Sequence, residues 1–216
     1  MAEYYTVKQG DHLSSIAAEK GFSDYKIIWD HPENAALKEE RKNPNILFPG
    51  DRVFIPDREV RLEPRPTDQL HVFELRTTEL RLKLVLEDLY EKPIASTPCD
   101  LVLPGQTRRV TTDDAGRLDE VIPADTHNAT LFVRGPETPF QDLAIPIRVG
   151  HLDPIDKLTG QAARLMNLGY YFGPMDPVDA DDFSSAVEEF QCDHGLAVDG
   201  KCGPNTQSTL KKVHGS

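Results

Sequence analysis

Seven histidines, three cysteines and thirty-six carboxylates are the residues of this chain that could do chemistry. A hydrolase would need them at recognisable spacings. No His-Glu-x-x-His word for metal-assisted attack occurs, no Gly-x-Ser-x-Gly elbow for a nucleophilic serine, and no Asp-x-Asp-x-Asp-Gly calcium loop. His12, His31, His71, His127, His151, His194 and His214 are scattered singly, so none makes a close pair with metal-ligand spacing. Cys192 and His194 are a possible thiol–imidazole couple, but two residues apart on a helix they fall on different faces. Asp113, Asp114 and Asp119 offer oxygens to calcium, yet acids at a turn are ordinarily solvated. A glycosidase pair of carboxylates need meet only in space, so spacing is silent on it. The expectation is a chain that is not an enzyme and carries no catalytic residue, cofactor or metal.

The cysteines Cys99, Cys192 and Cys202 form no Cys-x-x-Cys word, which argues against zinc. Their odd count reads as reduced thiols. Cys192 and Cys202 are close enough in sequence to approach within a small domain. They read either as buried apolar filler or as a disulfide formed after export. The net charge of −12 is spread as −3 over residues 1–57, −4 over 58–150 and −5 over 151–216. With no basic segment, neither nucleic acid nor an anionic membrane surface is an expected partner. The start MAEYYTVKQGD has no basic, apolar leader pattern, and no apolar run approaches the roughly 20 residues that span a bilayer.

The elements can be read from pattern. Tyr5-Thr6-Val7-Lys8 alternates as a strand, and Gly10-Asp11 turns the chain, with Asp11 or His12 placed to cap a helix. Leu13, Ile16 and Ala17 recur at helical spacing until Gly21. Further helical stretches are expected at Tyr25–Trp29 and after Pro32, with Ala36 and Leu37 facing inward. Arg52–Ile55 returns as a strand ending at Pro56. The words YTVKQGDHLSSIA and NPNILFPGDRVFIP resemble the LysM family over the whole of residues 1–57. His12 stands where the family usually has Thr or Ser, and residues around Asp30–Arg41 are additional. The resemblance implies a βααβ fold and a shallow groove for N-acetylglucosamine chains. Carried over, the groove residues are Gly10, Asp11, His12, Leu13, Asn45, Ile46 and Leu47. Leu13, Ile46 and Leu47 would meet the sugar's methyl and ring face, while Asp11 and loop amides would supply hydrogen bonds. The same leucines can equally be core, and Asp11 a cap. A groove filled by the chain's own groups would end that reading.

Residues 58–69 read as a Pro-rich linker, extended at Pro64 and Pro66. Residues 70–150 follow with β-like runs at Leu70–Leu75, Leu80–Glu87, Cys99–Leu103, Arg108–Thr111, Thr130–Arg134 and Leu143–Val149. Turns fall at Pro104-Gly105, Asp113–Gly116 and Gly135-Pro136. This spacing predicts an antiparallel sandwich. The Lys-Pro-Ile-Ala and Thr-Asp-x-x-Gly turns resemble transthyretin-like or carboxypeptidase-regulatory-like domains, which implies a spacer or docking module.

In residues 151–216, Ile155, Leu158, Ala162, Leu165 and Leu168 mark an amphipathic helix with Asp153 at its start. Phe183, Ala186, Val187 and Phe190 mark a second, and Thr206, Leu210 and Val213 a third. The run AVEEFQCDHGLAVDGKCGPNTQSTL resembles the peptidoglycan-binding-domain-1 family, which implies a three-helix bundle. The family's first Asp-Gly-x-x-Gly-x-x-Thr copy has decayed to Asp176, Pro177, Ala180 and Phe183. Tyr170, Tyr171 and Phe172 are the candidate contacts of a second wall-binding surface, and Gln191 is placed to bond a turn.

The whole reads as a multidomain α+β chain, and the resemblances imply a non-catalytic bacterial cell-wall binder whose partner is peptidoglycan. The alternative is an accessory, adaptor or cargo protein of a contractile injection or type VI secretion system, bound to spike or tube proteins. The expectation is a chain made in the cytoplasm without a visible signal peptide; if peptidoglycan is its partner, either a leader has been lost or delivery to the periplasm or exterior uses a non-Sec route.

Overall fold

The computed structural model describes residues 2–58, 64–72, 79–88, 90, 92–134 and 143–216. Residues 59–63 of the linker, 73–75 of the expected Leu70–Leu75 strand, and the Gly135-Pro136 turn lie outside these. Leu70, His71 and Val72 are in no strand. Among the described residues there are six α-helices and eight strands, and every strand pairing is antiparallel, so the chain is α+β. It divides into two compact units: Met1–Asn45 with Pro49–Gly150, and Ile46–Phe48 with His151–Ser216.

The first unit begins with β1 (Glu3–Thr6), paired in register with β2 (Arg52–Ile55) so that Tyr5 faces Val53. Between them lie α1 (Leu13–Glu19), α2 (Lys26–Trp29), a 3-10 turn (Pro32–Asn34) and α3 (Ala35–Arg41). Leu13, Ile16 and Ala17 are buried, as their spacing predicts. Leu37 is buried too, but Ala36, expected inward, is exposed: α3 is short and turns only one narrow stripe to the core. Asn34 pins this stretch to the sheet. Its buried amide donates to the carbonyls of Ile28 and Phe54 and accepts from Phe54 N–H, each at 2.8 Å. Arg41 grips Asp51 through two bonds of 2.7 Å.

The same unit holds two further sheets. One pairs β3 (Leu80–Val85) with β6 (Arg117–Ile122). The other runs in the order β5 (Gln106–Thr111), β4 (Pro98–Leu103), β7 (Asn128–Val133), β8 (Leu143–Arg148). Their inner faces share one core, drawn from Leu80, Leu118 and Ile122 of the first sheet and Cys99, Leu101, Leu131 and Val133 of the second. Leu82 and Leu84 pack on it while Arg81, Lys83 and Val85 stay exposed, the period-two alternation of a half-buried strand. The Asp113 carboxylate accepts the amides of Ala115 and Arg117 at 2.8 Å, which commits that acid to its turn.

The second unit is three helices: α4 (Leu158–Asn167), α5 (Ala180–Asp193) and α6 (Pro204–His214). Ala162, Leu165, Ala186, Val187, Phe190 and Leu210 form its core. Ile155, expected in α4, precedes it, and Val213, expected inward, is exposed. Asp153 is not the N-cap of α4, which is Lys157, but accepts the hydroxyl of Thr159, the helix's second residue, at 2.5 Å. Buried Arg164 donates to the carbonyls of Gly160, Asp153 and Ser216 at 2.7, 2.9 and 3.1 Å. Burial lowers its pKa to about 10, opposed by the Asp153 charge, so it stays cationic at neutral pH. Within this unit the Lys157 ammonium lies 5.1 Å from the centre of the Phe48 ring.

Gln191 ties the turn between α5 and α6. Its Nε2 donates to Asp199 Oδ1, the Lys201 carbonyl and Thr206 Oγ1, and its Oε1 accepts the amides of Asp199 and Gly200, all within 2.9–3.1 Å. Gln191→Ala leaves several buried groups without partners. It should destabilise the second unit by about 3 kcal/mol, read from urea unfolding. A loss under about 0.5 kcal/mol would show that the turn stands without it.

Candidate functional site

The loop from Gly10 to Leu13 starts α1, and its polar groups are already in use. The Asp11 carboxylate accepts the Tyr5 hydroxyl and the Lys8 amide, both at 2.8 Å. Burial, then this carboxylate, pushes the Tyr5 phenol well above its ordinary pKa. His12 is the N-cap, extended at φ −137°, and its Nδ1 accepts Ser15 N–H at 3.3 Å. Ser15 answers through its hydroxyl, which donates to the His12 carbonyl at 2.7 Å and accepts the His12 amide at 3.2 Å. An Nδ1 that accepts leaves the proton on Nε2, which lies 3.4 Å from the Thr126 carbonyl before β7. The next residue, His127, turns Nδ1 to the Gly10 carbonyl at 3.1 Å. The two imidazole centres are 5.9 Å apart. Gly150, at φ +80°, closes the same contact: a Cβ on it would lie 2.4 Å from the Gly10 oxygen. His12 is 1% exposed as a result.

This changes the reading of the candidate glycan residues. Gly10, His12 and Leu13 are buried, and Leu13 is core, not a platform for a sugar. The Leu13 amide donates to the Pro44 carbonyl at 3.1 Å. Asn45 is half-buried and accepts the Ser14 hydroxyl at 3.1 Å. Leu47 is buried, whereas Ile46 is half-buried. Asp11 borders a cleft of about 330 Å³ with Ser15, Ala18, Glu19, Asp125 and His127.

A second cleft, of about 260 Å³, lies in the three-helix unit, lined by Tyr170, Phe172, Gly173, Asp182, Ser185, Ala186 and Glu189. Tyr170 packs edge-on against Phe190, ring centres 5.4 Å apart, and its hydroxyl donates to Asp193 at 3.1 Å. Phe172 is 85% exposed. Tyr171, the third aromatic candidate, is fully buried and is not a contact. Its hydroxyl donates to the Pro174 carbonyl at 2.6 Å and accepts the Asp179 amide at 3.2 Å, so it builds the loop that displays its neighbours. Sequence reasoning missed Asp182, Ser185 and Glu189. They share one face of α5, but only the placement of Tyr170 and Phe172 makes that face a wall of a cleft.

The thiols suit packing better than chemistry. Cys99 is buried and Cys202 half-buried, and burial raises both, Cys202 to about 11. Cys192 is exposed, against the expectation of buried filler, and all three thiols are free. His194 stacks on Phe190 at 4.2 Å, with Nδ1 3.0 Å from that residue's carbonyl. Among the described residues no group of three His, Cys, Asp or Glu is placed to hold a metal, and no helix is long and apolar enough to cross a membrane.

Two family models match these two regions. Residues 5–26 match the family described as "LysM domain", and residues 162–210 match the one described as "Putative peptidoglycan binding domain". The chain carries both modules. No curated protein and no solved structure matches it. The LysM match runs from β1 through α1, so it includes His12, whereas Thr126 on the other side of the contact lies outside it. The peptidoglycan-binding match includes every residue that lines the second cleft.

The His12 contact needs a neutral ring, because protonated Nδ1 cannot accept Ser15 N–H. Burial lowers its pKa first, the Thr126 carbonyl opposes, and His127 adds to the lowering. A folded pKa below the unfolded value means the unfolded chain takes up the proton first. The contribution is therefore full above about pH 6.5 and is lost as pH falls below it. His12→Asn keeps an N-capping side chain but no titrating ring. The gap in melting temperature between wild type and variant should be widest above pH 7 and close towards pH 5. A gap independent of pH would refute the role given to the neutral ring.

Proposed function

We propose that this chain is a non-catalytic bacterial cell-wall protein that holds peptidoglycan at the cleft between α5 and the Tyr170–Phe172 loop. One observation carries the reading: within a peptidoglycan-binding module, Phe172 stands 85% exposed at the mouth of a cleft. A large aromatic left in water is a surface awaiting a partner, and ring faces pack well on sugar rings and stem-peptide methyls. At the LysM module the expected groove is taken up by the chain's own groups, so no glycan contact is assigned to Asp11 or Asn45. A shallow site such as the α5 cleft gives modest affinity.

The His12–Thr126 contact favours a second reading that can coexist with the first. LysM-like modules also serve, by family resemblance, as connectors in contractile injection machines. Here the loop that would take sugar takes protein instead. On this reading the chain is an accessory, adaptor or cargo protein of a type VI-like system, bound to spike or tube proteins and delivered to the periplasm by a non-Sec route.

Co-sedimentation with purified sacculi tests the first reading. The wild-type chain should pellet, and Phe172→Ala should weaken binding about fivefold. No pelleting, with capture on purified spike or tube proteins, would replace the first reading by the second. Release of soluble glycan from labelled peptidoglycan would overturn the non-catalytic assignment.

A further inference from the structure

We infer that the α5 cleft recognises the free ammonium of a diamino acid in the wall's stem peptide, in preference to the neutral acetamido sugars. The inference rests on the wall-binding reading above and deepens it. Three properties of the lining support it, namely its donors, its charge and its size.

The seven lining residues include no side-chain N–H. The two hydroxyls are engaged: Tyr170 donates to Asp193, and Ser185 donates to the Asp181 carbonyl at 3.0 Å. An acetamide carbonyl entering this cleft finds no side-chain donor waiting for it. Asp182 and Glu189 are acceptors only, whereas an ammonium brings three donors and no acceptor. The lining therefore matches a cation better than an amide.

The charge agrees. Helix α5 carries Asp181, Asp182, Glu188, Glu189 and Asp193 and no Lys or Arg. Among the described residues neither Asp182 nor Glu189 has an ion-pair partner. Their positions, with Ser185 between them, put both carboxylates on one helix face. Asp182 reaches across to the opposite loop, where a Cβ on Gly173 would come within 2.9 Å of its Oδ2. The peptide's own carboxylate ends would be repelled here. Opposite the acids stand Tyr170, its ring held by Phe190 and Asp193, and exposed Phe172. Aromatic faces attract an ammonium through the ring quadrupole, and carboxylates beside them reinforce that attraction.

Size points the same way. At about 260 Å³ the cleft falls below the roughly 300–1,000 Å³ of sites that enclose drug-sized ligands. An aminoalkyl arm fits such a space more readily than a disaccharide.

The test compares native sacculi with sacculi whose free amines have been acetylated, using the full-length chain. Acetylation should weaken wild-type pelleting about fivefold, the size expected of two partly exposed charge pairs. The double variant Asp182→Asn with Glu189→Gln should bind native sacculi as weakly as wild type binds acetylated ones. It should also be indifferent to acetylation, closing the cycle. Its circular dichroism and melting temperature should match wild type, and the wild-type comparison between the two sacculi needs no variant at all. Equal wild-type binding to both sacculi would overturn the ammonium assignment and leave the wall reading intact. Binding to neither would overturn the wall reading itself.

Discussion

A helix of seven residues cannot satisfy its own amino end, and α1 meets that constraint with an imidazole. The ring of His12 is asked to do two things at once. One nitrogen accepts from the first turn, and the other faces the carbonyl of Thr126, 114 residues along the chain. Only the uncharged tautomer with its proton on Nε2 can do both. A serine or threonine cap would hold α1 equally well but could not reach across to the strand domain. Folding of the LysM module and placement of the loop before β7 are therefore coupled through one neutral ring.

That coupling divides the labour between the modules. The LysM loop presents its amides and carbonyls to the chain itself: Leu13 N–H to Pro44, the Gly10 carbonyl to His127. What faces outward there is chiefly carboxylate, from Asp11, Glu19 and Asp125. The helical module keeps its structural polar groups inward. Arg164 and Gln191 are both almost wholly buried and saturated with backbone partners. With the fold secured from inside, the outer face of α5 is free to carry acids, and the loop before it an aromatic ring, that no internal contact requires.

Much of the architecture was legible in the sequence because it is written in local words. The β1 alternation, the Leu13–Ile16–Ala17 stripe and the Gln191 turn all depend on neighbours within about fifteen residues. Strand β6 was not read, since Glu120 breaks the apolar series that Leu118 and Ile122 would otherwise make at every second residue. Tyr170, Tyr171 and Phe172 look alike in sequence. Which of them is core is decided by a hydrogen bond to Pro174 and by helices that arrive later in the chain. The contact made by Thr126, His127 and Gly150 on the Gly10–His12 loop was invisible for the same reason: nothing local to either segment announces the other. The family resemblance carried over positions that a free LysM groove would use, and the strand domain then covered part of them.

Gly150 holds the strictest requirement in that contact. Its α-carbon sits where any side chain would run into the Gly10 oxygen and the His12 ring, and its backbone is left-handed besides. A LysM chain with a residue larger than glycine at the equivalent place could not be closed in this manner without shifting its backbone. In this chain, glycine at 150 and histidine at the head of α1 are thus joint conditions of the closure, since neither alone would let the two segments meet as they do.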